Sequence, residues 1–361
     1  MRLSAVFLAL LALKFLLVSI VIAFNVQFIH SSFLDIVSDS WDSHYFVWIA
    51  EHGYPAGDFW QNPLTNYYAY MPVYPIMINL LSYLTRDARI SAFMLSNMFY
   101  YFTLVAFYFV VRLNRAANRA VFATFLFGLF PLFATYGFFS YSDSVYLLFA
   151  IASWYFFAKQ DYAKAGIIAA IASATRVLGV LLTLIYLMLI IYGRWRGRVT
   201  LSKNMLVLAS PVIVLAVISL YFFSLSGNPF AIVDTESKGW GVTLGGPLNI
   251  LRLIQLDVFT YPPFFALSMA RFFYLSFFLI GSIIVRKINR QFTLYSLCFM
   301  LFVISLSGTS VYSEPRYALA AWPVFLLYSN VKDRETAILV AVGSIILTAQ
   351  SVGWHLTTFW T

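Results

Sequence analysis

Long hydrophobic stretches alternate with short polar segments along almost the entire chain. The hydrophobic stretches reach roughly 20 residues, the length a helix needs to cross a bilayer, and they lack the strict alternation of a strand. The pattern therefore predicts an all-α polytopic membrane protein. Residues 3–24 are predicted to be a retained first span, because the apolar region is too long for a signal peptide and many similar segments follow.

The composition also indicates that lipid, rather than water, surrounds much of the chain. Hydrophobic residues make up 62% of the 361 residues and charged residues 10%, against about 25% charged in soluble domains. In lipid, backbone polar groups must be satisfied within helices or a closed barrel. The chain is predicted to be a single transmembrane domain, 1–361.

Basic residues sit in the short gaps between apolar runs, which is typical of cytoplasmic loops. The net charge of +9 therefore indicates membrane topology rather than nucleic-acid binding. The segments assigned to the cytoplasm are Arg2, Arg112–Arg119, Lys159–Lys164, Arg194–Lys203, Arg286–Arg290 and Lys332–Arg334.

These assignments predict about eleven crossings, a cytoplasmic N-terminus and a C-terminus outside. Residues 71–85 are predicted to form an interfacial helix, and 164–192 a hairpin of two short helices with Arg176 at its far tip. Two large external loops result, at 25–70 and 227–265. The remaining predicted spans are 4–24, 90–112, 120–136, 142–158, 204–226, 266–285, 291–307, 317–331 and 336–355.

Polar residues that could take part in catalysis or ligand binding concentrate on the predicted external face. In the first loop, Trp41-Asp42-Ser43 places a carboxylate beside aromatic residues, which suits a general base that deprotonates a sugar hydroxyl. The alternative is that Asp39 or Asp42 caps a helix ending at Gly53.

Three further external segments carry candidates with structural alternatives. Tyr141-Ser142-Asp143-Ser144 lies at a hairpin tip and is also typical of an exposed helix cap. Arg176 lies in an apolar segment, where an arginine costs about 2.5–3.5 kcal/mol. It is therefore expected to bind a phosphate or to pair with Asp143 or Glu314. Glu314 and Arg316 could equally form a local or a long-range salt bridge.

Other polar residues are given structural interpretations. Lys14, within the first span, is expected to extend its ammonium to the interface. The single cysteine, Cys298, excludes an intrachain disulfide and a cysteine metal site. The four histidines lack ligand spacing, so no metal or other cofactor is predicted.

The chain resembles the PIG-V type of GPI mannosyltransferase and its prokaryotic relatives, within the GT-C class of membrane glycosyltransferases. Six segments carry the resemblance in order: Trp41-Asp42 with Ile49-Ala50 and Gly53-Tyr54; Met71-Pro72-Val73-Tyr74-Pro75; Tyr141-Ser142-Asp143-Ser144; Ala174-Thr175-Arg176 with Gly179; Gly227-Asn228-Pro229; and Pro315-Arg316-Tyr317. Relatives commonly have Glu at the position of Asp143 and Phe-Phe-Pro at Tyr70-Met71-Pro72.

The resemblance implies a GT-C-like bundle and an inverting mannosyltransferase, using a polyprenyl (dolichyl) phosphate mannose donor on the non-cytoplasmic face without an essential metal. It gives Asp42 the role of catalytic base, and the sequence leaves Asp39, three residues away, as the alternative. The expected membrane is the cell membrane of a prokaryote or the endoplasmic reticulum of a eukaryote. The expected substrate-binding residues are Trp41, Tyr45, Tyr74, Tyr141, Asp143, Arg176, Glu314, Arg316 and Tyr317.

The expected partners are a polyprenyl-phosphate sugar donor, a glycan or glycolipid acceptor, the bilayer, and a possible partner membrane subunit. Two other functions remain open from the sequence. A lipid or glycolipid transporter would place polar residues through both leaflets and show repeated, broken helices. A non-catalytic subunit of a glycan-assembly complex would not need Asp42.

Overall fold

The computed structural model describes residues 3–24, 31–196, 202–246, 248, 265–307, 313–331 and 334–360. Several predictions, including the cytoplasmic placement of Arg2 and Lys332 and most of the second half of the 227–265 loop, lie outside these residues. The fold is almost entirely helical, as predicted. One two-residue antiparallel pair joins β1 (Thr243–Leu244) to β2 (Leu306–Ser307).

In the described residues of the N-terminal half there are nine α-helices. They are α1 (Leu3–Phe24), α2 (Phe33–Ser38), α3 (Asp42–His52), α4 (Val73–Thr85), α5 (Ala88–Arg112), α6 (Ala117–Leu129), α7 (Pro131–Tyr136), α8 (Asp143–Ala158) and α9 (Tyr162–Thr175). A 3-10 helix, Thr65–Ala69, lies between α3 and α4.

The C-terminal half continues with α10 (Leu181–Trp195), α11 (Ser210–Ser226), α12 (Ala231–Trp240), α13 (Phe265–Ile284), α14 (Arg290–Ser305), α15 (Glu314–Tyr317) and α16 (Arg334–Trp360). Within the part of this half that the structure describes, four 3-10 helices join them: Val177–Val180, Lys203–Ala209, Val285–Lys287 and Ala318–Asn330.

Four helical stretches in the described residues are long and apolar enough to cross a membrane: Ser4–Ala23, Ala88–Arg112, Val177–Trp195 and Lys203–Ser226. They support a membrane protein, while the figure of about eleven crossings stays a prediction. The interfacial placement of 71–85 also stays a prediction. Its helix α4 has 13 residues, about 20 Å of rise, which is less than the roughly 30 Å apolar core.

Prolines interrupt two segments that were predicted as continuous spans. The 120–136 segment breaks at Phe130, whose backbone leaves the helical region immediately before Pro131. The 317–331 segment is a 3-10 helix that contains Pro323 and a non-helical Ala321, rather than an α-helix. The predicted break in 164–192 is confirmed, because Arg176 is extended between α9 and the next helical turn.

The largest hydrophobic core lies among α5, α6, α8, α9, α14 and the 318–330 helix. Trp154 and Trp322 are fully buried there, and the indole nitrogen of Trp322 donates to the Tyr295 hydroxyl at 3.0 Å. The prediction that Lys14 reaches the interface is wrong. Its ammonium is buried, donates to the Ala134 carbonyl at 3.3 Å and lies 4.0 Å from the centre of the Tyr100 ring.

Candidate functional site

Four charged side chains from distant parts of the sequence meet at the start of α3 and α8. The Arg316 Nη1 lies 2.6 Å from the Asp42 Oδ2, and the Arg176 Nη1 lies 2.5 Å from the Asp143 Oδ1. The Arg316 Nε is 3.8 Å from the same Asp143 oxygen. These contacts form one alternating chain of charges, Asp42, Arg316, Asp143 and Arg176, which we call the charge cluster.

Helix α3 presents Asp42 to the cluster at its first residue. The helix runs to His52 and ends at Gly53, which has a positive φ of 78°, as the sequence predicts. The preceding Trp41 has φ 50°, a conformation that is rare for a bulky residue. No side chain caps the start of the helix, so the proposed capping role of Asp39 or Asp42 is wrong.

The two candidate carboxylates of the first loop have different surroundings. Asp39 pairs with His44 at 2.7 Å, and both side chains are more than two-fifths exposed. Asp42 is 21% exposed and faces Arg316, which is 6% exposed. The geometry therefore places Asp42 in the charge cluster and Asp39 on the surface.

Tyr70 is a contact of Asp42 that the sequence analysis did not include among the site residues. Its hydroxyl donates to the Asp42 Oδ1 at 3.1 Å. Burial, together with the charge of Asp42, holds the pKa of Tyr70 well above its usual value, so the hydroxyl stays a donor. The Tyr45 ring stacks on the Tyr70 ring with centroids 4.7 Å apart. This stack forms an aromatic wall beside Asp42.

Asp143 occupies the first residue of α8, where the positive end of the helix dipole favours a carboxylate. The prediction of an exposed cap is wrong, since Asp143 is 4% exposed and Ser142 makes no side-chain capping bond. Among the described residues, the Asp143 Oδ2 is buried and has no hydrogen-bond partner. Such an atom is costly unless it acquires a partner, which makes this end of the cluster suited to a polar ligand.

A tight chain reversal positions Arg176. After Arg176 the chain folds back so closely that a Cβ at residue 179 would lie 2.3 Å from the Ser173 backbone nitrogen. Gly179 is therefore required by packing. Of the two partners proposed for Arg176, the structure contains Asp143, and the Arg176 guanidinium also lies 5.2 Å from the centre of the Tyr317 ring.

Aromatic rings enclose Arg316. Its guanidinium lies 5.0 Å from the centre of the Tyr141 ring, 5.3 Å from that of Tyr317 and 5.4 Å from that of Tyr136. Tyr141 and Tyr317 are therefore at the site, as the sequence suggests. Tyr74 instead uses its hydroxyl to bind the Ala92 carbonyl at 2.9 Å and is fully buried between α4 and α5. Trp41 is 42% exposed.

Glu314 does not join the charge cluster through Arg176, nor does it form the local salt bridge with Arg316. Its fully buried carboxylate instead accepts a hydrogen bond from the Nε of Arg271, a 6% exposed residue of α13. The pair fastens α15 to α13 and thereby fixes Arg316, two residues further along. The sequence analysis did not include Arg271 among the site residues. Like Arg176, it lies within an apolar segment, where an arginine indicates a buried partner.

Glu236 is a third residue, after Tyr70 and Arg271, that the sequence analysis did not include among the site residues. It lies on α12 within the electrostatic range of Asp42, Arg176 and Arg316. Burial, and then the negative charge of Asp42, raises the pKa of Glu236 to about 7, against the opposing effect of both arginines. An acidic residue in a polar loop gives no sequence signal of this environment.

A polar cleft of about 500 Å³ lies outside the charge cluster. It lies between α3 and the turn that joins α4 to α5. Its lining includes Asp39, His44, Trp48, Arg86 and Arg89. In the described part of the chain, no group of three or more His, Cys, Asp or Glu residues is arranged to hold a metal ion. The prediction of a metal-independent site stays a prediction.

The fold is similar to that of the oligosaccharyltransferase of Archaeoglobus fulgidus. The crystal structure tethered to an acceptor peptide containing the NVT sequon superimposes with a TM-score of 0.51 and 14% identity, covering 96% of this chain and 55% of that one. The apo form gives 0.49 and 14% identity, with coverage of 95% and 56%. The chain thus spans about half the length of that enzyme.

No protein-family model and no curated protein matches the sequence. The structural similarity supports the predicted GT-C fold class. The narrower resemblance to the PIG-V type stays a prediction.

Proposed function

We propose that this protein is a membrane glycosyltransferase that transfers a sugar from a polyprenyl-phosphate donor to a hydroxyl of a glycan or glycolipid acceptor. The observation that carries the proposal is the charge cluster, in which Arg316 links the carboxylates of Asp42 and Asp143 and Arg176 binds the second of them. The cluster combines a carboxylate beside an aromatic wall with two guanidinium groups that suit a phosphate.

The cluster carries two negative and two positive side chains, so its formal charge is zero before a donor binds. An arriving phosphate shares the guanidinium groups with the two carboxylates. Arginine suits this exchange because its planar fork binds carboxylate and phosphate in the same bidentate way. Asp42 is then less tightly paired with Arg316, so donor binding frees the carboxylate to contact the acceptor hydroxyl.

In the proposed reaction, Asp42 removes the proton of the acceptor hydroxyl while its oxygen forms the bond to the sugar C1. The bond from C1 to the phosphate oxygen breaks, and its electron pair leaves with the lipid phosphate. Arg176 and Arg316 stabilise the negative charge on that leaving group. Attack in line with the departing phosphate inverts the anomeric carbon.

Mannose is the proposed sugar, and dolichyl or another polyprenyl phosphate the proposed carrier, on the basis of the resemblance of the sequence motifs. The proposed face is the non-cytoplasmic one, because the basic segments of the sequence favour cytoplasmic loops on the other side. Trp41, Tyr45, Tyr141 and Tyr317 are proposed to line the substrate site.

The test is incubation of the purified protein in lipid nanodiscs with radiolabelled polyprenyl-phosphate sugars and membrane lipid extracts, followed by product identification. Asp42→Asn should lower turnover by about 10²–10⁴-fold, the usual contribution of a positioned base. Asp39→Asn is the matched control, because it removes a carboxylate three positions away that pairs only with His44 at the surface. Near-normal turnover of Asp42→Asn would refute the assignment of the base.

A further inference from the structure

The polar cleft has two walls whose positions are fixed by the fold. Four residues of α3 line the first wall: His44, Val47, Trp48 and Glu51. Their i, i+3, i+4, i+7 spacing places them on one face of the helix. The turn between α4 and α5, with Arg86 and Arg89, lines the second wall. The Asn79 side chain of α4 donates to the Ala50 carbonyl of α3 at 2.8 Å and so ties the two walls together.

Most charged groups of the cleft are held by other residues. Asp87 accepts a hydrogen bond from the Arg89 backbone nitrogen at 2.7 Å and another from its side chain at 3.3 Å. The Arg89 guanidinium also binds Asp35 at 2.6 Å. Asp39 pairs with His44 at 2.7 Å. These pairs fix the surface of the cleft before a ligand arrives, which lowers the cost of binding.

Glu51 and Arg86 differ from the other charged groups of the cleft. Both side chains are exposed, and they belong to different walls. Within the described residues, neither side chain forms an ion pair or a hydrogen bond. A carboxylate offers only hydrogen-bond acceptors and a guanidinium only donors. The two side chains can therefore bind complementary groups of one ligand that lies between the walls.

The backbone of Arg86 adopts a conformation that does not favour arginine. The residue ends α4 with φ 63° and ψ 13°, the left-handed conformation that glycine usually occupies at the end of a helix. Its backbone nitrogen donates to the Ser82 carbonyl at 2.9 Å, a bond that glycine would form equally well. The helix end thus does not require an arginine. An unfavourable conformation of this kind indicates that the side chain serves a function.

The lining restricts the chemical class of the ligand. Three carboxylates and two guanidinium groups line the cleft, so an anion meets no excess of positive charge. In the described part of the chain, no group of three or more His, Cys, Asp or Glu residues is arranged for a metal ion. Val47 and Ala88 are buried and offer no surface to a lipid chain.

A neutral ligand with many hydroxyl groups fits the remaining requirements. Each hydroxyl can donate to a carboxylate and accept from a guanidinium. The volume of about 500 Å³ lies within the usual range of about 300–1,000 Å³ for small-molecule sites. The cleft therefore suits a short oligosaccharide.

Helix α3 lies between the cleft and the charge cluster. At about 100° per residue, Glu51 is half a turn around the helix axis from Asp42. The two surfaces are thus separated by about one helix diameter, 10–12 Å. They meet at the start of α3, where Trp41 is 42% exposed and Asp42 21% exposed. A chain of sugars can occupy the cleft and pass around Trp41 to Asp42, whereas a single sugar cannot reach both.

We propose that the polar cleft binds the sugar chain of a glycan acceptor, so that the hydroxyl at the end of that chain reaches Asp42. The inference rests on the proposed function. Glu51 and Arg86 bind hydroxyl groups of the sugars that precede the reacting one. The pair of Asp39 and His44 remains a structural contact at the end of the cleft nearest the start of α3. The enzyme thereby selects acceptors by the length of their sugar chain.

Acceptor length tests the cleft during turnover. Glu51→Gln and Arg86→Gly should each raise the KM for an oligosaccharide acceptor by about 10-fold, which corresponds to the loss of one hydrogen bond to a charged group. The KM for a single-sugar acceptor and the KM for the polyprenyl-phosphate donor should not rise, since neither substrate contacts the cleft. Equal increases in KM for the oligosaccharide and the single-sugar acceptor would overturn the proposal.

The matched controls are Glu335→Gln and Arg194→Ala. They remove the same charges from exposed residues of α16 and α10 that do not line the cleft, and the KM for the oligosaccharide acceptor should keep its wild-type value in both.

The unfolding temperature of Arg86→Gly distinguishes a binding role from a structural one. Glycine suits the left-handed conformation, so this variant should unfold at the wild-type temperature or above it while its KM for the oligosaccharide acceptor rises. A lower unfolding temperature together with a wild-type KM would show that Arg86 is only structural and would overturn its proposed role.

A binding measurement separates this proposal from the proposed function, because it requires no turnover. The protein in nanodiscs is applied to an array of neutral oligosaccharides of mannose, glucose, galactose and N-acetylhexosamines. We expect binding that is lost in Glu51→Gln and Arg86→Gly and retained in both controls. If no neutral oligosaccharide binds, or if binding survives in both cleft variants, the proposal fails even where sugar transfer is observed. If binding depends on the cleft but no donor sugar is transferred, the proposed function fails.

Discussion

The Arg316 guanidinium and the Asp42 carboxylate, from opposite ends of the chain, lie 2.6 Å apart in the interior of the protein. The same guanidinium points its Nε toward Asp143 at 3.8 Å. The pair thus joins the start of α3 to α15 and connects both to the start of α8. Arg316 has a structural role before any donor binds, because it pairs with Asp42. In its proposed catalytic role, the Arg316 guanidinium binds the phosphate of the donor in place of Asp42.

Arg316→Lys should therefore distinguish the effect of the positive charge of Arg316 from the effect of its forked guanidinium group. Lysine keeps the positive charge but lacks the fork that reaches two carboxylates. We expect stability close to wild type and a loss of about 10–100-fold in turnover. Arg316→Gln should also destabilise the fold by about 1–3 kcal/mol, because Asp42 loses its guanidinium partner and Asp143 keeps only Arg176. Sugar transfer and thermal unfolding in nanodiscs measure both effects. Full activity of Arg316→Lys would contradict the bidentate role.

Asp143→Asn should change donor binding and stability in opposite directions. Asp143 neutralises Arg176 at 2.5 Å before a donor is present, so its neutral substitute leaves Arg176 more available to a phosphate. We expect polyprenyl phosphate to bind up to about 10-fold more tightly, while the protein without donor loses about 1–3 kcal/mol of stability.

Equilibrium binding of the lipid phosphate to Asp143→Asn, with Asp161→Asn as control, checks this expectation. Asp161 forms an exposed pair with Lys164, remote from the charge cluster in the sequence, and its loss should leave lipid binding unchanged. Weaker binding to Asp143→Asn would mean that Asp143 holds Arg176 in its binding orientation instead of competing with phosphate for it.

The buried pair of Arg271 and Glu314 predicts strong coupling. Glu314→Gln or Arg271→Leu alone breaks this buried ion pair, and breaking a buried pair by removing one member costs about 3–5 kcal/mol. The double variant Arg271→Leu, Glu314→Leu should recover most of that stability, since an apolar pair can replace a buried ion pair. Turnover should remain low in all three, because α15 no longer fixes Arg316. Additive losses of stability in a double-mutant cycle would show that the two residues do not interact.

The sequence predicted the helical fold and the break at Arg176, and it named candidate residues in the four segments that meet in the charge cluster. Its pattern could not reveal which carboxylate meets which arginine, since that depends on how α3, α8 and α15 pack. Tyr74 shows the limit in one direction: its motif suggested a sugar pocket, yet its hydroxyl binds the Ala92 carbonyl. Glu236 shows the limit in the other direction, because only tertiary packing brings it within the electrostatic range of Asp42.

Gly179→Ala tests whether the chain reversal after α9 positions Arg176. The new Cβ would lie 2.3 Å from the Ser173 backbone nitrogen, and backbone cannot yield as a flexible side chain can. We expect a loss of about 1–3 kcal/mol or more and a weaker binding of lipid phosphate. Gly343→Ala is the matched control, because no atom lies within 4 Å of its added Cβ and alanine favours a helix. Equal thermal stability of the two variants would contradict the close packing at Gly179.

The raised pKa of Glu236 also predicts how stability depends on pH, independently of any catalytic role. Between about pH 4.5 and 7, the unfolded chain loses the proton of Glu236 while the folded protein retains it. The stability that this protonation contributes is therefore present at low pH and is lost as the pH rises through about 7.

Glu236→Gln removes this loss. Its unfolding temperature should match the wild type near pH 4.5 and exceed it above pH 7, by an amount equivalent to about 1–3 kcal/mol. Thermal unfolding at a series of pH values measures the difference, and Asp234→Asn should show no such increase. A Glu236→Gln difference that shrinks as the pH rises would mean that the folded protein favours the charged form of Glu236, which would contradict the raised pKa.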